Sequence, residues 1–343
     1  MYMKNKVLKN LMALGVCAAL ASAPIVAYAA PAALDAAGEA VAQANADAVT
    51  ISINKTVPRV DYVSNIVYKQ INSASSHQSL VLNMLLPKLE NNASAPVVMF
   101  VKGSGFTAMN LDGFMQQRLY LAQKGFAVIE VETRVVPQAT FPSQVIDVKA
   151  AIRYVRAHAK EFNLNVNKIG IWGDSSGGWA ATLTATSNGV KEFEEGDNLN
   201  YSSNVAACVD FYGPTDLQTI GKGQGEDVEA SHDSASTTEA MLVNGTAFGT
   251  NPGGSINSDP AKAAKANPIS YIDRKDPAFL IFHGTNDNLV SVYESQILYE
   301  NLKKAGVPAQ LVYVQDGTHG GAEFYQPEIM DMVANFFTEK LTK

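Results

Sequence analysis

Residues 173–178 read Gly-Asp-Ser-Ser-Gly-Gly and follow directly on the apolar run Ile169-Gly170-Ile171-Trp172. A serine hydroxyl is a weak nucleophile unless a base takes its proton as it attacks. The local sequence suits such a role for Ser175. A short buried-strand pattern leads in, and a small-residue helix pattern over 179–185 leads out. G-x-S-x-G between strand and helix demands a sharp turn with the serine at its tip. Glycines at 173 and 177 keep Cβ atoms out of the crowded turn. The start of the helix directs free N–H groups towards the place where the oxyanion of acyl transfer would form. Ser175 is therefore read as a nucleophile and the Ser176 amide as an oxyanion donor. Gly/Ser clusters also make ordinary loops, so the reading depends on partners elsewhere in the chain.

Those partners lie downstream. The apolar strand pattern 278–282 runs into His283-Gly284-Thr285-Asn286-Asp287, and a helix pattern from Tyr293 to Ala305 is stopped by Gly306 and Pro308. A further strand pattern, 310–314, leads to Asp316-Gly317-Thr318-His319-Gly320-Gly321. A carboxylate just past a parallel strand lies at the edge where open α/β sheets build their sites. His319 is read as the base for Ser175, and Asp287 as the group that orients its imidazole. His283 competes for the base and is read as structural, because it lies at the strand end ahead of the acid. Asp316 competes for the acid but is three residues from His319 and is read as shaping the turn. A trypsin-type enzyme, whose nucleophile sits in a similar Gly-Asp-Ser-Gly-Gly run, places its histidine and aspartate before the serine. Here the only upstream histidines are His77 and His158, and His158 falls on the helix leading into the Ser175 strand. Upstream, the apolar run 96–101 empties into Lys102-Gly103-Ser104-Gly105-Phe106. Ser104, then Gly105, is the expected second oxyanion donor beside Ser176.

Taken together, these segments resemble the esterase/lipase branch of the α/β-hydrolases that includes hormone-sensitive-lipase-like and BD-FAE-like bacterial carboxylesterases. The resemblance is carried by the 102–106 loop, Arg134, Phe141-Pro142-Ser143-Gln144, the helix 147–153, the 173–178 turn, Asp210-Phe211-Tyr212-Gly213-Pro214-Thr215-Asp216-Leu217, the 283–290 run and His319. It spans about residues 80 to 340. It implies an α/β-hydrolase fold: a sheet of about eight mostly parallel strands with helices on both faces, no metal or organic cofactor, and a small-molecule ester as substrate. The chain departs from the family in Lys102-Gly103-Ser104, where His-Gly-Gly is usual, and in Thr133 before Arg134, where tyrosine is more common.

The remaining sequence agrees with one large α/β domain over 57–343. Of the 343 residues 47% are hydrophobic, ample for a core, and β-α alternation from Val97 onwards argues a parallel sheet. Val145, Val148, Ile152, Val155 and Ala159 form one apolar face of a helix. At the N-terminus, Lys4, Lys6 and Lys9 precede an apolar stretch from Leu11 to Val26 and an Ala27-Tyr28-Ala29 cleavage pattern. Residues 1–29 are thus expected to be a signal peptide directing export to the periplasm or medium of a bacterium. Its loss would take three lysines and move the net charge from −7 to −10, which disfavours nucleic acid and anionic membrane as partners. It would leave Cys208 as the single cysteine, expected to be buried. Residues 30–56 are Ala-rich and polar, a flexible or loosely helical lead-in. Residues 218–268, rich in Gly, Ser, Thr and Asn, are expected to be either a lid or wall over the site or a solvated loop. The function expected is hydrolysis of small or medium acyl esters through an acyl-enzyme. The alternatives are an exported peptidase of prolyl-oligopeptidase type, an inactive binding module on the same fold, and an esterase for acylated plant carbohydrates or phenolic esters. Oligomeric state has no sequence signal.

Overall fold

Among the described residues eight strands form one sheet: β1 (Val60–Asn72), β2 (His77–Pro87), β3 (Ala95–Val101), β4 (Ala127–Val131), β5 (Leu164–Asp174), β6 (Ala207–Phe211), β7 (Ala278–Gly284) and β8 (Ala309–Val314). Their order is β1-β2-β4-β3-β5-β6-β7-β8. β1 and β2 form an antiparallel pair at one edge, β2 joins β4 antiparallel, and every pairing from β4 to β8 is parallel. The structure, a computed structural model, describes residues 49, 51–72 and 77–343. Thr56–Lys343 makes one unit, and of the unit before it, Met1–Lys55, only 49 and 51–55 are described. The expected signal segment 1–29 and most of the 30–56 lead-in lie outside the described residues.

The continuous apolar runs are explained by burial on two faces. In β3, Val97 and Met99 enter one core with Ile169 and Ile171, whereas Val98 and Phe100 enter the other with Trp172 and Phe211. The first core is closed by α2 (Ser143–Ala157), α3 (Ser176–Thr186) and α7 (Val292–Ala305), through Val148, Ile152, Leu183 and Leu298. The second is closed by α1 (Met115–Gln123) and α8 (Pro327–Thr342), through Leu121, Val333 and Phe337. On α2 the expected face holds at Val145, Val148, Ile152 and Val155, all buried. Ala159 does not belong to it, because the helix ends at Ala157 and Ala159 lies half-buried in the following turn. Asp147 on the same helix anchors the 133–135 loop: it receives Arg134 Nε at 2.8 Å and Nη2 at 2.8 Å. Cys208 is fully buried in β6.

Residues 218–268 are not one loop. They fold into α4 (Glu226–Ser231), α5 (Thr238–Asn244) and α6 (Pro260–Ala266). Thr237 caps α5 by accepting from Ala240 N, and Asp259 followed by Pro260 starts α6 by accepting from Lys262 N. Leu242, Val243, Ala263 and Ala266 are buried, so this insertion is packed onto the domain.

Candidate active site

The three side chains expected to react stand at the C-terminal ends of β5, β7 and β8, the edge at which parallel sheets open their crevices. Ser175 follows the last residue of β5 with φ 52° and ψ −127° and precedes the first residue of α3. A side chain seldom adopts this backbone geometry, which costs about 1–3 kcal/mol and persists only where its surroundings enforce it. The surroundings do. Ser175 N donates to Phe211 O at the end of β6, 2.8 Å, and Trp179 N donates back to Ser175 O, 3.0 Å. A Cβ at Gly173 would stand 2.1 Å from Gly177 O, and one at Gly177 would stand 2.0 Å from Val101 O. Helix, turn and neighbouring strand can meet this closely only with glycine at both positions.

The acid and base are brought together by stitching between the loops that follow β7 and β8. Thr285 N donates to Val314 O and Asn286 N to Gly317 O, each at 2.9 Å. His319 Nδ1 then lies 2.7 Å from Asp287 Oδ2, and His319 Nε2 lies 2.8 Å from Ser175 Oγ. Asp287 Oδ1 accepts from the amides of Leu289, 2.9 Å, and Val290, 3.0 Å. Burial alone would push the Asp287 carboxyl up. The hydrogen bonds from His283 and His319, with that from Val290 N, outweigh it and hold the carboxyl well below its usual range. With Oδ2 ionised, the His319 proton belongs on Nδ1, and the Nε2 lone pair faces Ser175 Oγ.

The two competing residues have other surroundings. His283 is fully buried, with Nδ1 2.7 Å from Ser295 Oγ and Nε2 3.0 Å from Val290 O. A carbonyl can only accept, so Nε2 carries the proton and Nδ1 accepts from the Ser295 hydroxyl. That proton also lies towards Asp287 Oδ2, 3.4 Å away. Asp316 is exposed at φ 57°, and its N–H donates to Thr285 Oγ1, 2.8 Å. It forms the turn ahead of His319.

The loop after β3 differs from expectation at one atom. Ser104 N–H donates to Ser176 Oγ at 2.8 Å, so this amide is committed to a side chain of the protein. Ser176 thus contributes its hydroxyl to the loop as well as its backbone N–H to the site. Among the described residues, the amides of Gly105, at φ 59°, and of Ser176, first in α3, have no hydrogen-bond partner. Both amides remain able to donate to a bound group. Lys102, Asp174, Tyr212 and Leu289 join Ser175, His319 and this loop around a cleft of about 370 Å³, within the usual range for small-molecule sites.

Further contacts at the site had no local signal in the sequence. The Tyr212 ring packs on His319, with centroids 4.7 Å apart, and closes one side of the imidazole. Gln224 Nε2 donates to Asp287 O, 2.9 Å, and Ser291 N donates to Ile220 O, 2.8 Å, so the insertion is fastened to the acid loop. Further along the insertion Thr238 comes near Gly105: a Cβ on Gly105 would lie 3.8 Å from the Thr238 methyl.

The family model BD-FAE matches residues 82–302. A truncated carbohydrate esterase from gut microbiota superposes with a TM-score of 0.71 at 31% identity, over 84% of this chain and 99% of that one. A thermophilic esterase from Thermogutta terrifontis, solved with propionate bound, superposes with a TM-score of 0.61 at 25% identity, over 83% of this chain and 96% of the other. Among curated relatives, the probable carboxylic ester hydrolase LipM of Mycobacterium tuberculosis is 27% identical over 67% of this chain and 51% of its own length. The chain spans about half the length of the curated relatives it matches first. The match to the family model over most of the α/β unit, joined to an eight-stranded sheet of this order, establishes that the chain belongs to the BD-FAE family and has the α/β-hydrolase fold.

Proposed function

We propose that this protein hydrolyses carboxylic esters of small or medium acyl groups through an acyl-enzyme on Ser175. One observation carries the reading: the continuous relay from Ser175 Oγ to His319 Nε2, and from His319 Nδ1 to Asp287 Oδ2, at 2.8 and 2.7 Å. In the first step Ser175 Oγ attacks the ester carbonyl as its proton passes to His319 Nε2. Asp287 stabilises the imidazolium. The carbonyl oxygen becomes an oxyanion received by the Gly105 and Ser176 amides, and the tetrahedral adduct collapses as His319 Nε2–H protonates the departing alcohol. Water then attacks the acyl-enzyme, giving its proton to His319, and the second adduct collapses as the bond to Ser175 Oγ breaks, His319 Nε2–H returns the proton to Ser175 Oγ and the carboxylic acid leaves.

In this reading the insertion 218–268 backs one side of the cleft, because Gln224 holds the loop of Asp287 and Thr238 approaches Gly105. For the alcohol part of the substrate, the similarity to a carbohydrate esterase supports an acylated carbohydrate. The test is hydrolysis of p-nitrophenyl acetate, butyrate and octanoate, with an acetylated xylose followed by acetate release. Turnover of the acetate and butyrate esters above the octanoate, together with acetate release from the sugar, is the expected result. Absence of hydrolysis with every ester would contradict it. We further propose export after removal of 1–29. Intact mass of the protein from its native host should begin near Ala30, and a retained Met1 would overturn this.

A further inference from the structure

Lys102 stands where the family usually has the histidine of its oxyanion loop, and its side chain is 18% exposed. Its ammonium donates to Asp174 Oδ2 at 2.9 Å and to Gly103 O at 2.7 Å. Asp174, the residue directly before Ser175, is 2% exposed, and its second oxygen accepts from Gly103 N at 2.8 Å. Both backbone polar groups of Gly103 are thereby tied to this one ion pair, two residues ahead of the Gly105 amide. The approach is close enough to exclude any side chain at Gly103, where a Cβ would lie 2.3 Å from Asp174 O and 2.7 Å from Ser175 Cβ. The lysine stem is held in turn: its Nζ lies 4.8 Å from the centre of the Phe114 ring, and a Cβ at Gly113 would stand 2.7 Å from Lys102 Cε.

From this geometry we infer that Lys102 is a positioning residue, which with Asp174 clamps the 102–105 loop onto the nucleophile turn and so sets the oxyanion amides against Ser175. The inference rests on the ester-hydrolysis reading above. A pair this enclosed is a weak source of stability, since desolvation offsets most of its attraction, so its effect is sought in geometry. The same arrangement explains how an oxyanion loop works with lysine in place of histidine. The reach of the ammonium spans Asp174 and the Gly103 carbonyl, and the aspartate takes the Gly103 amide. Asp174 is pushed up by burial and pulled back by Lys102 and by the Gly103 N–H, so the partners depend on one another.

Steady-state hydrolysis of p-nitrophenyl acetate by the full chain tests the inference. Lys102→Met keeps the stem and removes the cation. It is expected to lower kcat about 10²-fold, as for a misplaced oxyanion donor, with KM changed by less than about threefold because ground-state binding is untouched. Lys102→Arg restores the charge and is expected to recover roughly tenfold of that loss. Asp174→Asn breaks the pair from the other side and is expected to reproduce the kcat loss. The double variant should be no worse than the poorer single one, as for two members of one device. Unchanged kcat in Lys102→Met, or a rise in KM alone, overturns the inference. If Lys102→Met does not fold, Asp174→Asn decides: its kcat loss with KM retained supports the clamp, and wild-type kcat overturns it. Failure of the ester reading shows differently, as a wild-type protein inert towards every ester.

Discussion

Ser175→Ala is expected to lower kcat for p-nitrophenyl acetate by about 10⁶-fold, because in the proposed mechanism it removes the one atom that attacks, and the other two relay members act only through it. What remains should be the modest rate given by oxyanion donors and binding alone. The fold should be unaffected. Ser175 makes its backbone contacts through N–H and C=O, to Phe211 and Trp179, and alanine keeps both. A companion substitution separates chemistry from strain. The backbone at Ser175 has φ 52° and ψ −127°, which glycine adopts without penalty, so Ser175→Gly relieves roughly 1–3 kcal/mol of strain against about 0.5–1 kcal/mol of added chain entropy. Ser175→Gly should therefore be as inactive as Ser175→Ala and no less stable than wild type in a thermal melt. A marked loss of stability in the glycine variant would show that the turn is held by the serine side chain instead of by the packing around it.

The second large effect belongs to Asp287→Asn, expected to cost about 10⁴-fold in kcat with substrate binding retained. The structure fixes the reason. Asp287 Oδ1 is held by two backbone donors, Leu289 N and Val290 N, so the amide oxygen of an asparagine must occupy that position. Its NH₂ is then forced to the Oδ2 position, facing His319 Nδ1, and donates where the carboxylate accepted. His319 must carry its proton on Nε2, pointing at Ser175 Oγ, and is no longer a base. The pH behaviour follows from the depressed Asp287 carboxyl. A carboxyl lowered in the folded state contributes stability that is fully present above its unfolded value, near 4, and is lost only as pH falls through the lower folded value. Between about pH 5 and 8 Asp287 stays ionised, so the rate ratio of wild type to Asp287→Asn should remain well above one at every pH in that interval. A ratio collapsing towards one near pH 6 would mean that Asp287 is not the partner of the base.

Much of this architecture could be read along the chain, because its signals are local. Apolar runs such as 96–101 and 278–282 are strands buried on both faces, and each ends where a chemically useful residue begins. The crowded turn at 173–177 announces itself through its glycines, and the spacing of Asp287 and His319 beyond their strands follows from the sheet. Contacts between distant segments were not legible. Lys102 and Asp174 are 72 residues apart, and neither residue type signals the other. The Ser104 amide is taken by a hydroxyl in a residue otherwise noted for its N–H. Tyr212 belongs to a motif that marks the family, yet its packing on His319 appears only when the β6 end is set beside the β8 loop. The insertion is an intermediate case. Its Gly/Ser/Asn content hid short helices whose starts, Thr237 and Asp259-Pro260, carry ordinary capping signals.

Covalent capture at Ser175 is the most direct test of the proposed mechanism. The full chain would be incubated with a p-nitrophenyl phosphonate, an analogue of the tetrahedral adduct, and then analysed by intact mass and peptide mapping. The relay geometry predicts stoichiometric release of one p-nitrophenolate per chain, one phosphonyl group on the peptide that contains Ser175, and no reaction after His319→Ala. No adduct, or an adduct on another residue with Ser175 unmodified, would contradict it.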